Sequence, residues 1–473
     1  CIRDSSGISH LLEHLVFKGT ENYSGQDLAR KVQERGGHWN AYTSVNRTVF
    51  YIDGPAESWQ VFLNLLTELV FSPTFPEGEL EREKEVVRRE MAMYADEPDS
   101  VAYQLLMQTL YLKHPRRWPV LGEPEVFDTL TREDVLEYHA SRYVPNNVVL
   151  SIAGDVDARE VLSHLELLVE DLKARPLNRE PLPHEPHQFG SRTVRKEFAV
   201  PYSKLSLAWR LPCSAHPDTP ALSALASILG GGRSARFYEK FHDRLGMVYS
   251  IEVHSNQSES DEGAFTITMD VDRAQRDKVR DLILQELRNL EREDFTEDLK
   301  RVCKQTRVSR LRRKSSASGM ASEMGADWFG ARNLNLSSEW QEAIERVTSE
   351  DLHRVCAGWL SSPNVTEVSL DPLGSNAEEV PAGSEETDAV LSELVLPNGL
   401  KVVVREDHRL PLAYACLVFK AGCPAENERN AGVTDLMSEC LLKGTTTRSA
   451  ADIARFLEDI GGAINTSTGN NSL

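Results

Sequence analysis

The chain has 473 residues and a formal net charge of −20, from 53 basic and 73 acidic side chains. This length predicts roughly three domains, and 40% hydrophobic with 27% charged residues is typical of a globular protein. The acidic balance argues against a nucleic-acid partner, which needs clustered Lys and Arg, and no run approaches the roughly 18 apolar residues of a transmembrane segment. Seven cysteines without a Cys-x-x-Cys pair argue against a disulfide framework and leave the compartment open.

The predicted elements indicate an α+β fold. Apolar periodicity and turn residues predict helices at about 7–18, 24–35, 57–70, 77–94, 99–110 and 131–141, and strands at about 38–44, 47–53 and 147–153. Further along, they predict strands near 192–199, 203–210, 247–256 and 263–271, and long helices at about 274–292 and 296–316. Runs of strands separated by helix pairs favour repeated domains in which helices pack on an antiparallel-rich mixed sheet.

The chain also repeats itself. At a shift of 425 residues, the segment 7–46 aligns without a gap with 432–471, and Lys18-Gly19-Thr20 matches Lys443-Gly444-Thr445. A weaker echo at a shift of 217 matches Thr131 with Thr348, each the predicted N-cap of a helix. Repetition at fixed shifts predicts that the second domain shares the fold of the first, and that a third domain begins as its copy.

These signals predict the organisation of the whole chain: a first domain at 1–188, a second at 189–372, a linker at 373–393 and the start of a third domain at 394–473. The second copy follows two strand-like runs, 396–405 and 412–419, whereas the first copy begins at Cys1. The chain is therefore expected to be a fragment that lacks the first strands of domain one and stops inside domain three.

A short motif near the N-terminus carries the chemistry. Residues 7–17 read Gly-Ile-Ser-His-Leu-Leu-Glu-His-Leu-Val-Phe, so a helix here is apolar nearly all round except for His10, Glu13 and His14. Such a helix is buried, and ionisable groups on it need a partner or a metal ion. His10 and His14, at i and i+4, share one face and offer two imidazoles to one ion. Two core histidines bonded to backbone carbonyls would look similar, but the apolar context favours the metal.

The candidate third ligand lies on the predicted helix at 77–94. Glu83, Val86 or Val87, Glu90 and Tyr94 are predicted to form one inward stripe, while Glu79, Glu81 and Glu85 point to solvent. Spacing alone does not separate Glu83 from Glu90. On so charged a helix, either acid is also explained as part of a solvated face.

Together these residues resemble a known family. A His-x-x-Glu-His motif followed some 75 residues later by a Glu in Glu-x-x-Val-Val-x-x-Glu is similar to the inverted-zincin metallopeptidases pitrilysin, insulysin and the mitochondrial processing peptidase. Gly36-Gly37 ahead of Asn40-Ala41-Tyr42-Thr43 also resembles the family, as does Tyr143-x-Pro145-x-Asn147. The resemblance is to a bacterial-type member built from two halves.

The resemblance implies a metallohydrolase fold of the processing-peptidase type and a zinc metalloendopeptidase. His10, His14 and Glu90 would hold one Zn²⁺ per chain, Glu13 would be the general base for the zinc-bound water, and Glu83 would orient a ligand.

It also implies a peptide or unfolded protein as substrate. The extended peptide would add to a sheet edge at Asn40, Ala41 and Tyr42, although Asn40 is equally explained as a turn residue.

The second copy implies an intramolecular partner. At the 425-residue shift His10, Glu13 and His14 become Asp435, Ser438 and Glu439, so the third domain keeps the framework and loses the ligands. This matches the family's pairing of an active half with a C-terminal inactive half of the same polypeptide around a closed chamber.

Two other functions remain. One is a non-catalytic scaffold of the same fold, like the respiratory-complex core subunits that resemble this family; the intact set of metal-site residues argues against it. The other is a zinc lyase with the same short motif. Chain length, the internal duplication and the lack of a partner cysteine near the motif argue against the lyase.

Overall fold

The computed structural model describes residues 6–177, 182–257, 262–360, 363–374, 391–405, 417, 433–441, 443–449 and 452–453. The chain divides into two compact units, residues 1–379 and 380–473. This division falls inside the linker predicted at 373–393. The first unit contains both of the first two predicted domains, and their boundary at 188 stays a prediction.

The first part of unit one is mostly helical and carries one hairpin. Its helices are α1 (Ile8–Val16), α2 (Gly25–Gln33), α3 (Trp59–Phe71), α4 (Glu77–Asp96), α5 (Pro98–Leu110), α6 (Pro124–Phe127), α7 (Arg132–Arg142) and α8 (Ala158–Val169). The hairpin pairs β1 (His38–Thr43) with β2 (Thr48–Asp53), antiparallel, with Asn40 opposite Tyr51 and Thr43 opposite Thr48.

The second part of unit one is built on a mixed sheet. Among the described residues its strands are β3 (Arg192–Phe198), β4 (Ser203–Leu211), β5 (Val248–Asn256), β6 (Gly263–Val271) and β7 (Thr366–Pro372). They lie in the order β3-β7-β4-β6-β5, with β3 and β7 parallel and the other neighbours antiparallel. The helices of this part are α9 (Thr219–Gly230), α10 (Arg276–Asn289), α11 (Thr296–Lys314), α12 (Ala317–Ala331), α13 (Leu336–Glu345) and α14 (Ser349–Val355).

Each part of unit one has its own hydrophobic core, and α5 connects the two. In the first core Leu11, Leu12 and Leu15 of α1 are at most 1% exposed. In the second, the sheet packs against α9 and α10. A third cluster joins residues of α5 to Ala208, Ala264 and Val368 of the sheet. Since α5 follows directly on α4, the helix that carries Glu83 and Glu90 ends at this junction.

Gly7 determines where α1 begins. Its φ is +88°, in the left-handed region that glycine adopts at little cost. A Cβ at this position would lie 2.3 Å from the carbonyl oxygen of Leu121, closer than two atoms approach without displacement. The first turn of α1 therefore packs directly on the backbone near residue 121.

The predicted fold class is confirmed, and nearly all predicted helices and strands of unit one are present within a few residues. The strand predicted at 147–153 is wrong. Residues 148–153 pair with no strand in the described part of the chain. In agreement with this, the Val148 and Leu150 side chains are 36% and 43% exposed. The alternating pattern reports strand propensity, but a strand also needs a neighbour to pair with. In contrast, the predicted Thr131 and Thr348 N-caps both form capping boxes, at the starts of α7 and α14.

Unit two repeats local features of α1 and its surroundings. Its hairpin pairs β8 (Leu391–Val395) with β9 (Lys401–Arg405), and its helix α15 (Val433–Leu441) covers the residues that correspond to α1 at the 425-residue shift. The backbone bridge between Gly19 and Ser24 recurs between Gly444 and Ser449. Residues 396–400 form a turn rather than the predicted strand, and the run at 412–419 lies outside the described residues apart from 417.

None of the described helices has the length and apolarity needed to cross a membrane.

Replacing Gly7 by alanine is expected to destabilise the protein by more than about 2 kcal/mol, because the left-handed conformation alone costs an L-residue roughly 1–2 kcal/mol and the clash with Leu121 adds to it. Urea unfolding measures the change. The matched control is Gly78→Ala, since Gly78 lies in α4 and no atom lies within 4 Å of the position that its Cβ would take. The control is expected to be neutral or to stabilise by about 0.5–1 kcal/mol, and equal effects of the two changes would contradict the role given to Gly7.

Candidate metal centre

Helix α1 presents two imidazoles side by side. His10 and His14 are one turn apart, and their ring centroids are 4.7 Å from each other at an interplanar angle of 64°. His10 is buried, at 9% exposure, whereas the His14 side chain is 23% exposed. The apolar residues on the remaining faces of α1 lie in the first core, as predicted for this helix. The tight packing of α1 therefore fixes the positions of both imidazole rings.

Glu90 of α4 meets the two rings. Its Oε2 lies 3.7 Å from His10 Nε2 and 3.8 Å from His14 Nε2. One ligand atom from each of the three residues lies within 4.8 Å of the others, and no other group of three or more His, Cys, Asp or Glu side chains in the described residues is arranged in this way. Two residues one turn apart and a third 76 positions further on thus converge on one point.

The orientation of α4 separates Glu90 from Glu83. The buried stripe of α4 contains Leu80, Glu83 and Val87, with Glu90 half-buried at its end. Of the two valines predicted as alternatives, Val87 faces inwards and Val86 is 40% exposed, because the helix turns by about 100° per residue. The prediction for Tyr94 is wrong, since it is 43% exposed. Glu81 and Glu85 are exposed, as predicted, whereas Glu79 is half-buried.

Glu83 approaches His14 from the other side of the ring. Its Oε2 lies 3.2 Å from His14 Nδ1, and its Oε1 lies 2.7 Å from Lys18 Nζ. A carboxylate at Nδ1 accepts the N–H of that nitrogen and leaves the lone pair of Nε2 directed at Glu90. The contact selects the tautomer that binds a metal through Nε2.

These donors fit zinc. Two imidazole nitrogens and one carboxylate oxygen form a typical three-ligand set that leaves a fourth position open. Tetrahedral bonds of about 2.0–2.1 Å put ligand atoms roughly 3.3 Å apart. The separations from Glu90 to the two imidazoles, 3.7 and 3.8 Å, are a few tenths of an ångström wider, and all three ligand atoms lie within 4.8 Å of one another. The residues present therefore fit a zinc ion in type and in number, and their side chains would have to draw closer to bind it.

Burial controls the charge of the two groups next to this point. The pKa of His10 is lowered to about 4, first by burial and then by the proximity of His14, so its ring is neutral at pH 7 and its contact with Glu90 is not an ion pair. Burial raises the pKa of Glu13, while a hydrogen bond from Thr43 and the nearby His14 oppose the rise and Glu90 adds to it. A carboxyl with a raised pKa is suited to exchanging protons near neutrality.

Thr43, to which the sequence patterns assign no role, holds Glu13. Its Oγ1 donates a hydrogen bond of 2.5 Å to Glu13 Oε2 and lies 3.1 Å from Thr48 Oγ1 on the neighbouring strand. The sequence feature that could have identified Thr43 is strand alternation, because residues 39, 41 and 43 share one face of β1. Phe17 at the end of α1 packs edge-on against Trp39, 4.7 Å between centroids, so this face is the one that contacts α1.

The predicted substrate residues lie on β1. Asn40 is in the middle of the strand, so its interpretation as a turn residue is wrong. Asn40 and Tyr42 are exposed on the face opposite Thr43, while Ala41 points the same way as Thr43. In the described residues β1 pairs with β2 on one edge. The Asn40 side chain accepts a 2.9 Å hydrogen bond from the Ala41 backbone N–H.

The positions that correspond to His10, Glu13 and His14 in the second copy lie on α15. Ser438, in place of Glu13, is 3% exposed. The side chains of Asp435 and Glu439 lie outside the described residues.

Thr43→Val is expected to raise the pKa of Glu13 above that in the unsubstituted chain, because the lost hydroxyl no longer stabilises the ionised carboxylate. A carbon-13 NMR titration of the side-chain carboxyl in zinc-free protein measures the change. Thr43→Ser keeps the donor and serves as the control. A Glu13 pKa that stays the same or falls in Thr43→Val would show that the hydrogen bond does not act on the carboxylate.

In zinc-free protein the His10 ring is expected to stay neutral well below pH 6 and to be protonated only near pH 4, where its lowered pKa lies. Because the unfolded chain takes up this proton near pH 6.5, folding stability falls as pH drops from 6.5 towards 4, by up to about 1.4 kcal/mol per pH unit. NMR of the imidazole gives the midpoint, and urea unfolding gives the stability. His10→Phe should lack this contribution, and a protonation midpoint near 6.5 would contradict the effect of burial.

Comparison with known proteins places this site in a family. Residues 3–123 and 401–472 match the family "Insulinase (Peptidase family M16)", and residues 129–305 match the "Peptidase M16 inactive domain". A Rickettsia felis protein described as an uncharacterized zinc protease is 27% identical over 74% of this chain and 84% of its own length.

Solved structures are also similar to this chain. A protease from Helicobacter pylori matches with a TM-score of 0.73 and 26% identity, over 79% of this chain and 90% of that one. A peptidase M16 inactive domain from Pseudomonas fluorescens has the same fold, with a TM-score of 0.72 and 19% identity, over 78% of this chain and 90% of that one. The insulinase model matches the stretch that contains every residue of the candidate metal centre, the second M16 model matches residues 129–305, and the chain therefore belongs to the M16 family of peptidases.

Proposed function

We propose that the chain is a zinc-dependent metalloendopeptidase that hydrolyses peptides or unfolded polypeptides. The observation that carries the proposal is the convergence of His10, His14 and Glu90 to within 4.8 Å, with the Glu13 carboxyl on the same helix. His10, His14 and Glu90 hold one Zn²⁺ per chain. Zinc bound by three protein ligands supplies Lewis-acid activation of water and of a peptide carbonyl. The zinc proteases among the relatives support this metal.

Glu13 moves the protons. Thr43 holds Oε2 of Glu13, which leaves the other carboxylate oxygen free to accept a proton from the attacking water. The carboxyl then donates this proton to the leaving amine, and its burial-raised pKa reduces the free-energy cost of holding the proton between the two steps. Glu83 Oε2 accepts a hydrogen bond from the Nδ1–H of His14 and fixes the direction of Nε2.

The substrate binds as an added strand at β1. In the described part of unit one β1 pairs with β2 alone, and its inner face contacts α1 through Trp39 and Thr43. An extended peptide along this edge, at Asn40, Ala41 and Tyr42, lies next to Glu13. Such recognition uses mainly backbone hydrogen bonds, so the preference for particular side chains is weak. The Asn40 amide, now bonded to the Ala41 N–H, turns towards the peptide backbone.

The inactive half of the same polypeptide completes the site as a chamber. The insulinase profile matches 401–472 as well as 3–123, while Asp435, Ser438 and Glu439 replace the motif residues. A second copy that retains the framework without the ligands supports a structural role in enclosing the substrate.

A second candidate function is that of a non-catalytic scaffold. It is favoured by the match of residues 129–305 to an inactive domain. However, that match lies outside α1 and α4, so it does not bear on the residues at the metal centre.

Glu13→Gln tests the proposal. In the full-length protein we expect the variant to keep its zinc and to cleave a quenched fluorescent peptide about 10²–10⁴-fold more slowly, the usual contribution of a general base. Zinc content is measured by atomic emission. Glu85→Gln is the matched control, because the Glu85 side chain is 58% exposed on α4. Unchanged cleavage by Glu13→Gln would remove Glu13 from this role, and a wild-type protein that binds zinc but cleaves nothing would favour the scaffold.

A further inference from the structure

We propose that Lys18 is a positioning residue of the metal centre, which holds the Glu83 carboxylate in the orientation that His14 needs. The inference rests on the proposed function, since it takes His14 as a zinc ligand. Lys18 Nζ lies 2.7 Å from Glu83 Oε1, and Glu83 Oε2 lies 3.2 Å from His14 Nδ1. The carboxylate therefore bridges an ammonium group and a ligand imidazole, with one oxygen for each.

The Glu83 side chain is largely shielded from water, at 7% exposure, whereas that of Lys18 is 31% exposed. As a whole residue Glu83 is 5% exposed and lies on the stripe of α4 between Leu80 and Val87. A buried carboxylate that loses its cation is strongly destabilised, unlike one at the surface. This contact differs in that respect from an exposed lysine pair, which contributes little.

The neighbouring buried lysine, Lys84, contacts other groups than Glu83. Lys84 is 3% exposed, but its Nζ donates a 3.1 Å hydrogen bond to the Asp128 backbone carbonyl and lies 3.7 Å from Glu81 Oε1. Among the contacts of Glu83 in the described residues, Lys18 supplies the cation.

The backbone around Lys18 is rigidly supported. Its N–H donates to the Leu15 carbonyl at 3.1 Å, which closes the end of α1. A Cβ on Gly25 would lie 2.6 Å from the Phe17 carbonyl oxygen and 3.2 Å from Lys18 Cα, so α2 begins in direct contact with this segment. The next carbonyl, of Gly19, accepts the Thr74 N–H at 3.1 Å. The ammonium group therefore extends from a fixed point rather than from a mobile loop.

The orientation of Glu83 determines how His14 binds a metal. With both carboxylate oxygens occupied, the plane of the group is fixed and Oε2 stays at Nδ1. Without Lys18 the carboxylate can rotate about its terminal torsion, and the imidazole loses the acceptor that orients it. Partners of this kind typically change metal affinity 10–100-fold.

The test is the zinc affinity of the full chain, measured by competition with a chromogenic chelator. Lys18→Met is expected to weaken zinc binding about tenfold, and Lys18→Arg, which keeps a cation, is expected to lose less. The matched control is Lys443→Met, because Lys443 occupies the equivalent position of the second copy, where the ligand residues are replaced, and it is exposed. Zinc affinity of the control is expected to equal that of the wild type.

A thermodynamic cycle separates positioning from general destabilisation. In a Glu83→Ala background, Lys18→Met is expected to have no further effect on zinc affinity, since the bridge is already absent. If Lys18→Met does not fold, Lys18→Gln removes the charge, keeps a hydrogen-bond donor and is compared in the same two backgrounds.

The outcomes distinguish this inference from the proposed function. Wild-type zinc affinity in Lys18→Met and Lys18→Gln overturns the positioning role and leaves the proposed function intact. An equal loss of affinity with and without Glu83 also overturns it, because Lys18 then acts by another route. A wild-type chain that binds no zinc overturns the proposed function, and the role of Lys18 with it.

Discussion

The packing of α4 against α1 is the contact on which the rest of the candidate site depends. It places a buried carboxylate, Glu83, and a half-buried one, Glu90, against two imidazoles in a region from which water is largely excluded. Polar groups in such a region must satisfy one another or a bound ion. Here Glu83 takes the Nδ1 side of His14 and Glu90 faces the Nε2 atoms. Glu83 and Glu90, seven residues apart on one helix, thus have different roles because they contact different nitrogen atoms of the imidazole rings.

The same contact explains why the surroundings are rigid. Helix α1 begins at a glycine with no room for a side chain, and its end is closed by α2 and by the segment that carries Lys18. The hairpin β1–β2 covers the side of α1 that bears Glu13, where Thr43 bonds the carboxylate. A metal site needs its ligands held to within a fraction of an ångström. The three ligands, Glu13 and Glu83 extend from packed helices and Thr43 from a paired strand, whereas Lys18 extends from the turn that follows α1.

The two copies of the N-terminal segment show which features belong to the framework and which to the chemistry. Helix α15 and the bridge between Gly444 and Ser449 reproduce α1 and the bridge between Gly19 and Ser24. The motif residues are replaced in the second copy, although Lys443-Gly444-Thr445 is retained. Helix bounds and turn geometry therefore depend on the apolar pattern and the glycines, and they do not require the histidines. The insulinase family model accordingly matches both copies, at residues 3–123 and 401–472.

Residue patterns alone predict the local structure: the buried helix with His10 and His14 on one face, the Thr N-caps of α7 and α14, and the bounds of most helices and strands of unit one. These features follow from spacing and capping, which involve residues close together in the chain. Long-range packing sets which acid meets which imidazole nitrogen and turns Val86 and Tyr94 outwards. It also brings Thr43 to Glu13 and Lys18 to Glu83, and it leaves 148–153 without a partner strand among the described residues. These outcomes depend on helix rotation and on partners distant in sequence, and periodicity within a single segment carries no information about either.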